Sequence, residues 1–349
     1  MRSGDQAGLR EKECKATEDG RREGIWTTAS RRLDGDREGE VASLTPAAGK
    51  MVPEELPVDF IQPTSWADAL SAKAARPAAL PVAGGTDVMV ELNFDARRPE
   101  ALLDLTRVAE LADWDTDQGR IRLGAGVTYS RVIDELGTML PGLAMAARTV
   151  GSPQIRNRGT VGGNLGAASP AGDCHPPLLA AGAEIEVASV HGTRTIRAED
   201  FYTGVKRNAL RPDELIRAIL ITPPAGPQQF SKIGTRNAMV IAVAAFSLAL
   251  HPDRREAGTG IGSAAPTPRR APDAERFLAD ALDEAGLWES RAGLPPAITT
   301  EFSRLVRAAA RPIDDVRGTA AYRRRALAVM AGRTLTWAWR DYCDAAGRG

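Results

Sequence analysis

Arg158-Gly159-Thr160-Val161-Gly162-Gly163-Asn164-Leu165-Gly166 is the stretch on which the reading of this chain turns. Paired glycines follow a threonine and precede an asparagine. A backbone without Cβ atoms approaches an anion closely, and its N–H groups can point at ligand oxygens. About 75 residues earlier, Pro81-Val82-Ala83-Gly84-Gly85-Thr86-Asp87-Val88 repeats the same chemistry. That earlier loop leaves a short apolar strand, Ala79 to Ala83, and enters one or two helical turns over Val88 to Asn93. The N–H groups at the helix start add to those of the turn, and the Thr86 hydroxyl adds a hydrogen bond. Two such segments suit a diphosphate held from two sides. Alone, each is weak, because Gly-Gly pairs mostly mark ordinary turns.

A third glycine cluster, Gly258-Thr259-Gly260-Ile261-Gly262, has a different meaning. It resembles a dinucleotide fingerprint, but Ser263 stands where the last glycine belongs and no βαβ unit surrounds it. It reads as a strand or a turn. Nor is Gly49-Lys50 a phosphate loop, since Met51 replaces the required hydroxyl residue.

Outward from these segments the chain alternates strands and short helices. Ser65 caps a helix from Trp66 to about Ala74, and Thr128 caps another through Leu136. Leu102–Leu105, Arg120–Leu123 and Leu215–Ile221 read as strands, and Glu184–Val187 pairs with Thr193–Ile196. Gly151 to Asp173 reads as one long glycine-rich loop. Beyond Gln228, the apolar run Met239 to Leu250 offers β-branched residues for a strand and alanines for a helix; a strand is expected. Helices follow over Asp273–Leu282 and Ala320–Tyr342, the latter with Ala326, Val329, Met330 and Trp337 on one face. This gives an α+β chain in three parts: a charged leader over 1–50, a domain over 51–226 and a smaller one over 227–349. The leader is 40% charged with both signs mixed. Such a segment buries too little apolar surface to offset its ordering entropy, so disorder is expected there, with Met51 a candidate true start.

Composition removes several function classes. The formal net charge is zero, which leaves no global field for a nucleic-acid backbone. Cys14, Cys174 and Cys343 are far apart, with no CxxC, so neither a disulfide framework nor a metal cluster within this chain is expected. The longest apolar run, about Ala238 to Leu250, is too short for the roughly 18–20 residues of a membrane span. No signal-peptide core opens the chain, so a cytoplasmic location is expected. Asp173-Cys174-His175 invites a metal or nucleophile reading, but a polar corner is the plainer one. His191 and His251 sit in turn-like contexts and read as surface. Arg156 and Arg158 read as phosphate or partner contacts, or equally as a solvated loop edge.

Gln154 to Leu165, continuing into Ala168-Ser169-Pro170-Ala171-Gly172-Asp173, resembles the FAD-binding subunits of molybdenum hydroxylases of the xanthine dehydrogenase and carbon monoxide dehydrogenase types. The Ala83–Asp87 loop fits the same pattern, as do Phe230–Arg236 and Gly262–Pro268, and the resemblance spans about residues 53 to 345. It implies a two-part α/β FAD-binding domain of the PCMH type, not a Rossmann fold. A smaller α+β domain of the CO dehydrogenase flavoprotein C-terminal type would follow it. It further implies that Val82, Ala83, Gly84, Gly85, Thr86, Asp87 and Val88 hold the pyrophosphate. Thr160, Gly163 and Asn164 would meet the phosphates or ribityl chain. Asp173, with Ser169 as a neighbour, and Ile216 and Lys232 would complete the flavin contacts. A lysine beside the N1/O2 edge favours reduced flavin and raises its potential.

The implied role is an electron relay. Substrate would be oxidised at a molybdenum cofactor in a large partner subunit. Electrons would pass through [2Fe-2S] clusters of a small partner subunit to FAD here, then to NAD or another acceptor. No side chain of this chain need act on the substrate. A free-standing flavoprotein oxidoreductase of the same fold, and a flavin-free scaffold joining two partners, are the alternatives. The segment Asn237–Ile241 lacks an acidic residue that many relatives carry, which weakens any transfer of NAD-site detail.

Overall fold

The computed structural model describes residues 58–346. The expected leader and the candidate start at Met51 lie outside them. The chain first lays down β1 (Asp59–Ile61), α1 (Trp66–Ala75), β2 (Leu80–Val82), α2 (Val88–Asn93) and β3 (Ala101–Asp104). The three strands form a parallel sheet in the order β1-β3-β2. The Ser65 hydroxyl caps α1 by accepting from the Asp68 N–H at 3.1 Å.

A five-stranded antiparallel sheet comes next, built from β4 (Trp114–Asp117), β5 (Arg120–Gly124), β6 (Glu184–Ser189), β7 (Gly192–Arg197) and β10 (Leu215–Ile221). Its order is β4-β5-β10-β6-β7, with the apolar strand β10 at the centre. Between β5 and β6 run five short helices: α3 (Tyr129–Glu135), α4 (Pro141–Thr149), α5 (Pro153–Arg158), α6 (Val161–Ala167) and α7 (His175–Ala180). After β7 come α8 (Ala198–Phe201) and the small hairpin of β8 (Tyr202–Gly204) and β9 (Arg207–Asn208).

The last part is a three-stranded antiparallel sheet of β11 (Gln228–Ile233), β12 (Ala244–His251) and β13 (Glu256–Gly262). Four helices follow: α9 (Pro272–Glu284), α10 (Leu287–Ser290), α11 (Pro296–Ala309) and α12 (Ala320–Ala346). Every residue of β12 is buried, because both sheet faces are covered. Ala244, Phe246, Leu248 and Leu250 enter the core formed with α9, α11 and α12. The alternate residues face α7 of the preceding domain, and β13 shows why that helix fits. A Cβ on Gly258 would lie 2.0 Å from the Ala180 carbonyl oxygen, and one on Gly260 2.0 Å from that of Pro176. The fingerprint-like glycines thus serve helix-on-sheet contact rather than a ligand.

Several expectations need correction. The strand expected over Met239–Leu250 begins only at Ala244. Met239 has φ +49°, which breaks the extended run before it. The loop expected from Gly151 to Asp173 holds α5 and α6. Their caps, Ser152 and Thr160, outweigh the low helix propensity of glycine. On α12, Ala326 and Met330 are buried, but Val329 and Trp337 face outward. His251 is not at the surface: it is 5% exposed, and Arg254 donates to its Nδ1 at 2.8 Å.

Candidate cofactor-binding site

The two glycine segments meet around one cavity of about 500 Å³. The first leaves β2, turns through Gly84 and Gly85, and enters α2. Gly85 has φ +75°, a conformation that only glycine adopts without strain. The N–H groups of Gly84, Gly85 and Thr86 donate to no other described residue. The second segment is the start of α6, with Thr160 as its N-cap; the Thr160 hydroxyl accepts from the Gly163 N–H at 2.9 Å. Backbone bonds from Val161 to Val127, from Gly162 to Ala125 and from Tyr129 to Gly159 fasten this segment to the chain after β5. The two segments touch directly. A Cβ on Gly84 would lie 1.9 Å from the Arg158 carbonyl oxygen, so glycine is what allows the closure.

Ten of the fourteen expected contacts line this cavity: Ala83, Gly84, Gly85, Thr86, Asp87, Val88, Thr160, Gly163, Asn164 and Ile216. Val82 lies just behind, in β2, where it accepts from the Leu105 N–H at 2.8 Å. Ser169, Asp173 and Lys232 are not on the lining. The Ser169 hydroxyl accepts from the Ala171 N–H and shapes the turn before Asp173. The Lys232 ammonium donates to Asp173 Oδ2 at 2.5 Å and to the Thr149 carbonyl at 3.2 Å. The Thr149 hydroxyl donates to the same carboxylate oxygen at 3.1 Å. Both charged side chains are 8% exposed. Burial raises the pKa of Asp173, and Lys232 works against that shift. The second oxygen, Oδ1, is buried without a partner.

Sequence reasoning missed several lining residues. Lys206 sits at the cavity, donating to Glu91 of α2 at 2.6 Å, and nothing in its local sequence marks it. Tyr129 follows the cap that was legible, and burial pushes its phenol pKa well up. Of the two arginines read as phosphate or partner contacts, or equally as a solvated loop edge, Arg158 lines the cavity, whereas the Arg156 guanidinium donates to the carbonyls of Arg148, Val150 and Gly151 and braces the turn.

His175 is fully buried, and desolvation lowers its pKa to about 3. Its pKa in the unfolded chain is near 6.5, so below that pH the unfolded chain takes up a proton that the folded one refuses. Stability is then lost as pH falls from about 6.5 toward about 3, at roughly 1.4 kcal/mol per unit. Between pH 7 and pH 5 the native chain should lose about 2 kcal/mol relative to a His175→Gln chain, read from urea unfolding. Parallel losses in the two chains would show that His175 is protonated in the fold.

Cavity, unpaired donors and closed glycine contact together make a site for a phosphate-bearing ligand. Residues 56–224 match the FAD binding domain in molybdopterin dehydrogenase, and residues 230–338 match the CO dehydrogenase flavoprotein C-terminal domain. The putative xanthine dehydrogenase FAD-binding subunit of Escherichia coli K12 is 33% identical over 62% of this chain and 77% of its own length. The carbon monoxide dehydrogenase medium chain of Afipia carboxidovorans is 30% identical over 79% and 95%. The nicotinate dehydrogenase FAD-subunit of Eubacterium barkeri is 34% identical, with 60% of its length matched. Among solved structures, a chain of reconstituted CO dehydrogenase from Oligotropha carboxidovorans aligns with a TM-score of 0.71 at 28% identity, covering 82% of this chain and 98% of that one. The chain belongs to the FAD-binding medium subunits of the xanthine dehydrogenase and CO dehydrogenase family, and its cofactor is FAD. Among the described residues no helix is long and apolar enough to cross a membrane.

Proposed function

We propose that this chain is the electron-transfer subunit of a molybdenum hydroxylase. In this reading a small partner subunit delivers electrons from [2Fe-2S] clusters, and a large partner subunit oxidises the substrate at a molybdenum cofactor. Bound FAD supplies the chemistry of the junction, accepting single electrons and releasing a pair to NAD or another acceptor. The FAD-binding domain is taken as residues 51–226 and the C-terminal domain as 227–349.

The carrying observation is the closure of two glycine segments around one cavity with unpaired N–H donors. Backbone N–H groups of Gly84, Gly85 and Thr86 would hold the pyrophosphate from one side. The α6 start, with Thr160, Gly163 and Asn164, would hold it from the other. Ile216 offers an apolar wall, and Asp173 Oδ1 is an acceptor left over for a ligand donor. Lys232 would set the charge near the flavin edge while it anchors Asp173. Names of relatives such as "medium chain" and "FAD-binding subunit" support a heteromeric assembly.

Purification of the full chain tests this directly. Flavin absorbance and co-purification of molybdenum- and iron-containing partners are expected. A folded but colourless chain overturns the cofactor assignment. Substrate turnover by the isolated yellow chain would favour a free-standing flavoprotein.

A further inference from the structure

The two glycine segments touch at Gly84 and Arg158, and a second connection joins the helices that follow them. The β8–β9 hairpin carries Lys206 in its turn and Asn208 on β9. The Lys206 ammonium donates to Glu91 Oε1 of α2 at 2.6 Å, across 115 positions of sequence. The Asn208 carboxamide oxygen accepts from the Leu210 N–H at 3.2 Å, which turns its NH₂ to the Gly166 carbonyl of α6 at 2.9 Å. These bonds complete a circuit from Gly84 through α2, the hairpin and α6 back to Arg158. Glu91, Lys206, Asn208 and Gly166 all line the cofactor cavity. Packing does little for α2, since none of its six residues is buried. Glu91 ties it by side chain to Lys206 and, at 3.4 Å, to Arg97. Lys206 has φ +53°, where glycine would sit more easily, so the turn carries this lysine at a conformational cost.

We propose that Glu91, Lys206 and Asn208 are positioning residues for FAD: the hairpin braces α2 against α6 and so holds the Gly84–Thr86 donors in register with the α6 segment. The inference rests on the reading that both glycine segments hold FAD. It follows from chain continuity, because α2 leaves directly from Gly84, Gly85 and Thr86, and wherever α2 sits their N–H groups must go. Charge alone predicts the reverse for Glu91. A carboxylate on the wall of a diphosphate site repels the ligand, so this glutamate has a cost that its bond to Lys206 offsets. Removing the carboxylate therefore separates bracing from a simple charge effect. If the field alone mattered, FAD would bind more tightly; if the brace matters, FAD is lost more easily.

FAD binding and release by the full chain, followed by flavin fluorescence, test the brace. Glu91→Gln and Lys206→Met should each bind FAD about fivefold more weakly, through faster release, as suits a partly exposed ion pair. The double variant should lose little more than either single, because both remove one bond. Asn208→Ala, which frees the other end of the hairpin, should also cost about fivefold. The swapped pair, Glu91→Lys with Lys206→Glu, should return to within about twofold of the wild type. Since α2 buries no side chain, these variants should fold, and circular dichroism checks that they do. Unchanged or tighter binding in Glu91→Gln, wild-type affinity in Asn208→Ala, or a swap that recovers nothing overturns the brace alone. Wild-type FAD affinity in Gly84→Ala overturns the reading of the glycine segments, and the brace with it.

Discussion

Gly84→Ala should abolish FAD retention, and the reason lies outside the cofactor. The added Cβ would stand 1.9 Å from the Arg158 carbonyl oxygen, 2.5 Å from its carbon and 2.9 Å from the Gly159 Cα. All three are backbone atoms, so no side-chain rotation relieves the overlap. The two glycine segments must part, and the N–H groups on each side then lose their common target. Overpacking of this kind costs about 1–3 kcal/mol even where side chains can shift, and against fixed backbone the upper end applies, so binding should weaken by about 100-fold. Gly85→Ala is the informative control. It forces a side chain into φ +75°, but its nearest neighbour, Met89 Cγ, is 3.4 Å away. That substitution should cost about 1–2 kcal/mol of backbone strain and leave the loop contact intact. Gly163→Ala is intermediate, because its Cβ would press on the Thr160 hydroxyl at 2.9 Å and disturb the α6 cap. Flavin content after gel filtration, with circular dichroism to check folding, ranks the three. A Gly84→Ala chain that keeps full flavin would show that the segments are not closed in solution.

What the sequence made legible follows from how local each signal is. The strands Leu215–Ile221 and Glu184–Ser189 are written in apolar runs and alternation, and Ser65 and Thr128 announce their helices. The glycine pairs announced a ligand site for a local reason too, since backbone access depends on the residues themselves. Signals failed where a neighbour distant in sequence decides. Gly162 lies in a helix and is glycine because a Cβ would strike Ala125, so its low helix propensity marks close packing rather than a loop. Gly258 and Gly260 look like a nucleotide loop, yet they make room for α7. His251 reads as a turn residue, yet the Ala180 carbonyl and Arg254 enclose it. The resemblance supplied Asp173 and Lys232 as flavin contacts, but only the fold shows that they meet each other.

That meeting carries the second large effect. Asp173 precedes α7 of the FAD-binding domain, and Lys232 lies on β11 of the C-terminal domain, 59 positions later. Their contact at 2.5 Å is a buried ionic latch across the seam between the domains. Removing one partner of such a pair leaves an uncompensated charge in an apolar setting, which typically costs about 3–5 kcal/mol. Asp173→Ala should therefore destabilise the full chain by that amount in urea unfolding, before any effect on FAD is considered. Lys232→Met should cost less, because the Asp173 carboxyl, already pushed up by burial, can take a proton and stay neutral. The double variant should be more stable than Asp173→Ala alone, since it buries no charge. A double-mutant cycle separates latch from ligand contact. Strong coupling in unfolding with unchanged FAD affinity would make the pair structural. FAD binding weaker by about 1–3 kcal/mol in the double variant than in Lys232→Met alone would place a ligand hydrogen bond on Asp173 Oδ1, the buried acceptor left unpaired. An Asp173→Ala chain as stable as the wild type would remove the latch altogether. The pair would then be solvated, and the domain seam would rest on the apolar contact of α7 with β12 and β13.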